Sequence, residues 1–317
     1  MKEHLLLLVP IAAEHKQLLL AQFHVIEAID PASRAAALAA HAGSIELVLT
    51  NGSVGFTATE IAALPHLKLL AAQGAGYENL DVAAAQARGV LVCNGAGTND
   101  DCVADHALTL LLASVRALPQ QGAALRAGVW RDALPLYPDF GGRRLGIIGL
   151  GAIGLKIARR AAAFGMVIGY HNRRPRDDAG DAAYFDSALA LAGWADDLVV
   201  ATPGGAGTQH IVDATVLAAL GEGGHVVNIA RGSCVDTAAL AAALQAGRIA
   251  GAALDVYEGE PRPPQALVDL PNVILTPHVA GWSPQAIRAT VACFIANVEA
   301  WRRGEPLPTA LSGAASR

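Results

Sequence analysis

Short apolar runs alternate with Ala-rich stretches along nearly the whole chain, and this alternation narrows the fold to one class. His4–Val9, Phe23–Ala28, Ile45–Leu49, Leu67–Ala72 and Gly89–Cys93 read as strands with helix-like segments between them. A second series begins near Leu145–Ile148. It continues through Val167–Tyr170, Asp197–Ala201, His225–Ile229, Ala250–Val256 and Asn272–Thr276. Strands joined through helices by short loops pair in parallel with right-handed crossovers, so the expected class is α/β with parallel sheets. Hydrophobic residues make up 53% of the chain and aromatics only 5%. The apolar content is therefore mostly small and aliphatic, as close-packed helices on a buried parallel sheet require.

Two long helical stretches lie at the joins between the series. One spans roughly Asp101–Arg116, with Val103, Ala107, Leu110 and Leu111 near a 3.6-residue period. The other follows Ser283-Pro284, where Ser caps and Pro fits the first turn, and runs to about Arg303. If that last helix returns to the first strand series, the expected organisation has three parts. Residues 1–98 begin the first domain, 99–283 form the second, and 284–317 carry the chain back to the first. The place for chemistry is then the cleft between the domains.

Charge and cysteine usage exclude other classes. Lys and Arg number 23 against 28 Asp and Glu, a net charge of -5, and there is no long basic run. A nucleic-acid footprint is not expected. No uninterrupted apolar stretch reaches the roughly 18 residues of a membrane span. The opening MKEHLLLLVP is too short in its apolar part for a signal peptide and reads as a first buried strand. Cys93, Cys102, Cys234 and Cys293 are scattered without metal-type pairing, which fits free thiols and a cytoplasmic location. No metal is expected.

The segment Leu145–Gly154 reads as a strand followed by Gly149-Leu-Gly151-Ala-Ile-Gly154 and an amphipathic helix. In that setting GxGxxG is a dinucleotide signature and the domain is Rossmann-like. Gly149 makes the tight turn, Gly151 lets the backbone approach a pyrophosphate, and Gly154 lets helix and strand pack closely. The amides of Ala152 and Ile153 face the phosphates from the positive end of the helix dipole. After the next strand an NAD site would carry Asp or Glu for the ribose hydroxyls, but the sequence is His171-Asn172-Arg173-Arg174. Guanidinium groups pair with a 2′-phosphate that an acid would repel, so NADP is expected in preference to NAD.

Arg231, Asp255 and His278 fall at or just after the ends of three strands of the second series. In an open parallel sheet these ends share one edge, where the nucleotide also lies. Reducing a 2-keto acid needs a cation for the carboxylate and carbonyl and a proton donor for the developing alkoxide. Arg provides the first. A His beside a carboxylate provides the second.

The chain at this point closely resembles the D-isomer-specific 2-hydroxyacid dehydrogenase family. The motifs are Gly149–Gly154, Asn228-Ile-Ala-Arg231-Gly232, Ala253-Leu-Asp255-Val-Tyr-Glu-Gly-Glu260-Pro261 and Thr276-Pro-His278, with Gly74-Ala-Gly-Tyr-Glu-Asn-Leu-Asp81 and Val103-Ala-Asp-His106 earlier in the chain. The resemblance implies Arg231 as substrate clamp, Glu260 as partner of the histidine and His278 as acid/base. It further implies that Asp255 contacts the nicotinamide carboxamide and that the Ala75–Gly76 backbone holds the substrate carboxylate. Thr202, Pro203, Thr208, Ile229, Ala230 and Gly281 complete the expected cofactor-facing set. Asn172-Arg173-Arg174 matches the NADPH-preferring glyoxylate/hydroxypyruvate reductases. Asp105 stands where Glu is usual, and Pro203-Gly-Gly-Ala-Gly-Thr208 replaces a common Pro-Leu-Thr-Pro-like loop.

The resulting expectation is NADPH-dependent reduction of glyoxylate or hydroxypyruvate to the D-2-hydroxy acid. An aromatic substrate such as hydroxyphenylpyruvate is the alternative. A non-enzymatic NAD(P)-sensing interaction protein on the same scaffold is a further one, which the intact Arg231, Glu260 and His278 set disfavours. His4, His15, His24, His41, His66, His210 and His225 have no partner motif and read as packing or surface residues. His106 reads as packing near the cleft, and Trp282 as a pocket wall or part of the domain seam. Trp130, Leu134, Leu136, Tyr137 and Phe140 read as one exposed apolar patch. The resemblance implies that this region forms a homodimer.

Overall fold

The computed structural model describes residues 2–311. The chain divides into two compact units, one built from residues up to Asn99 together with those from Gly281 onward, the other from Asp100–Ala280. Each holds one parallel sheet, so the class is α/β as the strand pattern requires.

The first unit contains β1 (His4–Leu7), β2 (His24–Glu27), β3 (Ile45–Asn51), β4 (Leu69–Gln73) and β5 (Leu91–Asn94), in the spatial order β2-β1-β3-β4-β5. That order is the flavodoxin-like one. Both faces of the sheet are covered, which is why its strands lack polar alternation. On one face Leu5, Leu7, Leu47, Leu49 and Leu69 pack against Val291, Phe294 and Val298 of the helix Pro284–Arg302. Ser283 caps that helix, its Oγ accepting from the Ala286 amide at 3.1 Å. The residues beyond this helix remain on the sheet, where Leu311 donates to Val92 O at 2.8 Å.

The second unit contains β6 (Arg144–Ile148), β7 (Val167–His171), β8 (Ala183–Phe185), β9 (Asp197–Val200), β10 (His225–Asn228), β11 (Gly251–Leu254) and β12 (Val273–Leu275). Their order is β12-β11-β10-β9-β6-β7-β8, all parallel, a doubly wound sheet whose direction of progression reverses between β6 and β9. Loops at such a reversal diverge and leave a crevice at the carboxyl ends of the strands. The helix Asp100–Val115 covers one face, burying Val103, Ala107 and Leu111 with Ile147, Val199, Val227 and Ala253.

Three details depart from the sequence reading. β8 was not foreseen. Residues Leu118–Arg126, where the sequence reading places no element, form a helix. Phe140 is buried at 7% exposure, edge-on to Phe164, so it does not belong to an exposed patch, whereas Trp130 is 63% exposed and Leu136 fully so. Among the described residues no single helix is long and apolar enough to cross a membrane.

Candidate active site

The loop after β6 lies at the reversal of the second sheet. Gly149 has φ of +100°, and a Cβ there would come within 2.6 Å of the Thr202 amide nitrogen. A Cβ on Gly154 would strike the Gly149 carbonyl. Gly151 differs: a Cβ there would meet nothing within 4 Å, so its face is open. No side chain caps the helix Ala152–Ala163 that starts there. An open glycine face beside uncapped first-turn amides fits a pyrophosphate.

Asn172 ends this arrangement from β7. Its Oδ1 accepts from the Leu150 amide at 2.7 Å, so its side chain braces the glycine loop. Arg173 and Arg174, next along the chain, are exposed and form no ion pair among the described residues, while Arg176 is tied to Asp178 at 2.6 Å. Across the reversal, the Thr208 hydroxyl donates to Pro203 O at 2.7 Å and holds the Pro203–Thr208 loop on itself.

The turn after β10 is built by Asn228, which is fully buried. Its Oδ1 accepts from the Ala230 amide at 3.0 Å and its Nδ2 donates to the Arg231 carbonyl at 2.9 Å. Ile229 and Ala230 are buried beneath the turn. Arg231 Nη1 donates to Ala230 O at 2.5 Å. Gly232 follows with no room for a side chain, because a Cβ there would collide with the Tyr257 backbone. The Arg231 turn thus lies directly against the loop that follows β11.

That loop begins with Asp255, which is 1% exposed. Its Oδ1 accepts from the Thr276 hydroxyl at 2.6 Å and the Val279 amide at 2.9 Å, and its Oδ2 accepts from the Ala280 amide at 2.8 Å. Burial alone would raise this carboxyl, but the bonds from His106, Thr276, Ala280 and Val279 outweigh it and hold the acid below its ordinary range. The Asp255 carbonyl also takes the His278 amide at 2.9 Å. Three successive amides, 278 to 280, are therefore fixed by one residue.

His278 needs that support because its φ is +54°, a left-handed conformation that side chains with a Cβ rarely adopt. Its Nδ1 lies 2.7 Å from Glu260 Oε2, and Glu260 Oε1 accepts from the Tyr257 amide at 2.9 Å. An ionised carboxylate only accepts, so this pairing assigns the hydrogen to Nδ1 and leaves Nε2 to exchange a proton with a ligand. Such a ring can serve as acid or base.

A family model described as D-isomer specific 2-hydroxyacid dehydrogenase, NAD binding domain, matches residues 108–280. The chain belongs to the D-isomer-specific 2-hydroxyacid dehydrogenase family. It is 39% identical over 273 residues to a hydroxyphenylpyruvate reductase of Plectranthus scutellarioides, covering 86% of this chain and 87% of the relative. It is 36% identical over 305 residues to a glyoxylate/hydroxypyruvate reductase A of Arabidopsis thaliana, covering 96% and 97%. A crystal structure of an NADPH-dependent glyoxylate/hydroxypyruvate reductase from Sinorhizobium meliloti, in complex with NADP and malonate, superposes with a TM-score of 0.89. There the identity is 39%, over 98% of this chain and 97% of that one.

This dehydrogenase is an NAD(P)-dependent oxidoreductase. Its second unit brings together Gly149–Gly154, Asn172, Thr202, Arg231, Asp255, Glu260 and His278, while Ala75, Gly76 and Gly281 belong to the first unit. Sequence reasoning missed two supporting roles. His106 is more than packing, with Nε2 3.1 Å from Thr276 Oγ1 and 3.5 Å from Asp255 Oδ1. His210, read as lacking a partner, has Nε2 2.8 Å from Glu258 Oε1, a bond that raises its pKa above the ordinary histidine value. Trp282 is 59% exposed.

Proposed function

We propose that this dehydrogenase reduces small 2-keto acids, glyoxylate and hydroxypyruvate foremost, to D-2-hydroxy acids with NADPH as reductant. The observation that carries the reading is the 2.7 Å His278–Glu260 pair, set at the sheet edge next to the loop against which the Arg231 turn packs. When bound, the nicotinamide supplies the hydride. His278 Nε2 delivers the proton to the alkoxide oxygen, Glu260 keeps the ring turned for that transfer, and Arg231 binds the carboxylate and polarises the carbonyl. The Ala75–Gly76 backbone would bind the substrate carboxylate, and Asp255, whose carboxylate also fixes the Val279 and Ala280 amides, would contact the nicotinamide carboxamide.

Exposed Arg173 and Arg174 favour NADPH, since both guanidinium groups remain available to a 2′-phosphate. The S. meliloti enzyme, described as NADPH-dependent, supports that preference. A second reading, reduction of hydroxyphenylpyruvate, is favoured by the P. scutellarioides relative. The deciding experiment measures kcat/KM for glyoxylate, hydroxypyruvate, pyruvate and hydroxyphenylpyruvate with NADPH and with NADH. The same measurement on an Arg173→Ala/Arg174→Ala variant should show weaker NADPH use and little change with NADH. Each lost charge-assisted contact is worth about 1.5–3 kcal/mol. Equal losses with both cofactors would remove the arginines from cofactor choice, and highest efficiency on the aromatic acid would favour the second reading.

The exposed Leu118, Leu125, Trp130 and Leu136 support a homodimer built on the nucleotide-binding unit. Light scattering should then give twice 32.5 kDa, and a monomer at micromolar concentration would refute it.

A further inference from the structure

A buried polar network in the first unit runs from its C-terminal segment to the Ala75–Gly76 loop. Asn94, the last residue of β5, is 8% exposed and donates from Nδ2 to Ala75 O at 2.8 Å. Its main chain is held from the other side by Thr309, with the Cys293 thiol also 3.8 Å from Asn94 O. The Thr309 hydroxyl donates to Asn94 O at 2.6 Å, and the Asn94 amide donates to Thr309 O at 3.3 Å. Thr309 is itself fixed by Asn297, which is fully buried on the helix Pro284–Arg302. Asn297 Nδ2 donates to the Thr309 hydroxyl at 2.9 Å, and its Oδ1 accepts from the Thr309 amide at 3.3 Å. Ala310 pairs with Cys93 in an antiparallel bridge, and Gln86 Nε2 donates to Leu311 O at 3.0 Å.

The network has a directional consequence. A trans peptide is planar, with its carbonyl and its N–H pointing in opposite directions. When Asn94 draws the Ala75 carbonyl inward, the Gly76 N–H of the same peptide is turned the opposite way. The neighbouring backbone leaves the loop little freedom to rotate: the Gly95 amide donates to Gly74 O at 2.7 Å, and a Cβ on Gly95 would come within 2.6 Å of the Gly74 nitrogen.

We propose that Asn94 and Thr309 are positioning residues for substrate, aiming the Gly76 amide at the carboxylate of the 2-keto acid. The proposal rests on the reading above of Ala75–Gly76 as the carboxylate cradle. Uncharged polar residues underneath a loop carry no motif of their own, yet they fix the donor directions on which a binding site depends. A carboxylate contact is made equally by substrate and transition state, so weakening it raises KM with little change in kcat.

The test compares wild type with Asn94→Ala, Thr309→Val and Thr309→Ser, using the best keto acid and its methyl ester. Asn94→Ala should raise KM for the acid about 10–100-fold, the cost of one hydrogen bond to a charged group. Its kcat should stay close to wild type. The NADPH Kd, read from cofactor fluorescence, should not move. The ester lacks the anionic group, and its KM should rise far less. Thr309→Val preserves shape without the hydroxyl and should shift KM the same way by a smaller factor, while Thr309→Ser should restore it. An unmoved KM for the acid, or equal increases for acid and ester, overturns the positioning role while the functional reading stands. If Asn94→Ala fails to fold, the Val–Ser pair at 309 decides by the same criteria. A wild-type protein that reduces no 2-keto acid overturns the functional reading, and the positioning role falls with it.

Discussion

The two ends of the second sheet treat the same side chain in opposite ways. At the amino end, His225 opens β10, is 6% exposed, and has Nδ1 2.8 Å from the neutral Ser114 hydroxyl. Burial, with a smaller push from Arg143, lowers its pKa to about 4. Beside it Arg143 and the fully buried Asp197 form a 2.6 Å ion pair. At the carboxyl end, the His278 side chain is 38% exposed, its partner is the Glu260 carboxylate, and its backbone is left-handed. A histidine sealed in and matched to a hydroxyl stays neutral and serves packing. One left half-open, with an acid at one nitrogen and the other nitrogen available, can move a proton. Environment separates the two, and nothing in the residue type does.

The sharpest way to break this contrast is to remove each ring and measure both activity and stability. His278→Ala should lower kcat by about 10²–10⁴-fold, the usual range for one acid/base group. Its denaturation midpoint should change little, because the side chain is partly in solvent and alanine retains the same left-handed backbone. A large loss of stability with modest loss of turnover would place His278 among the structural histidines.

The smaller effect is at the amino end and shows only as a pH dependence. His225 has a folded pKa below its ordinary value of 6.5, so the unfolded chain binds the proton more readily. Its contribution is complete above about pH 6.5 and is lost as pH falls toward 4, a difference of roughly 3 kcal/mol. Urea titrations across that window should show wild type losing more stability than His225→Gln as the pH drops. Turnover of the variant above pH 7 should stay near wild type. Parallel stability profiles would show that His225 does not carry the acid sensitivity.

Much of this was legible in the sequence because the signals were repetitive or chemically loud. Buried parallel strands such as Leu5–Leu7 and Val226–Val227 announce themselves as apolar runs, and GxGxxG, Arg231, Glu260 and His278 stand out by type and spacing. What escaped detection lacked both properties. β8 has three residues at the sheet edge, with Ala183 and Tyr184 exposed, too short to show a pattern. Phe140 sits in a loop among exposed neighbours, and only its contact with Phe164 reveals its burial. Asn94, Asn297 and Thr309 are uncharged and far apart in the chain. His210 meets Glu258 across 48 positions, a separation at which single-chain patterns carry no pairing information.

The return of the chain to its first unit has a consequence for the order of assembly during synthesis. The first sheet shares one core with Val291, Phe294, Val298 and Leu307. Those residues leave the ribosome only after the whole inserted unit, at roughly 5–20 residues per second. The inserted unit, complete at Ala280, has its whole core in hand while β1, β3 and β4 still present bare leucines on one face. For those seconds the nascent protein is a finished nucleotide-binding unit trailing a half-covered sheet. That interval is when chaperones would meet it, and when shortening the final helix would do most harm to yield.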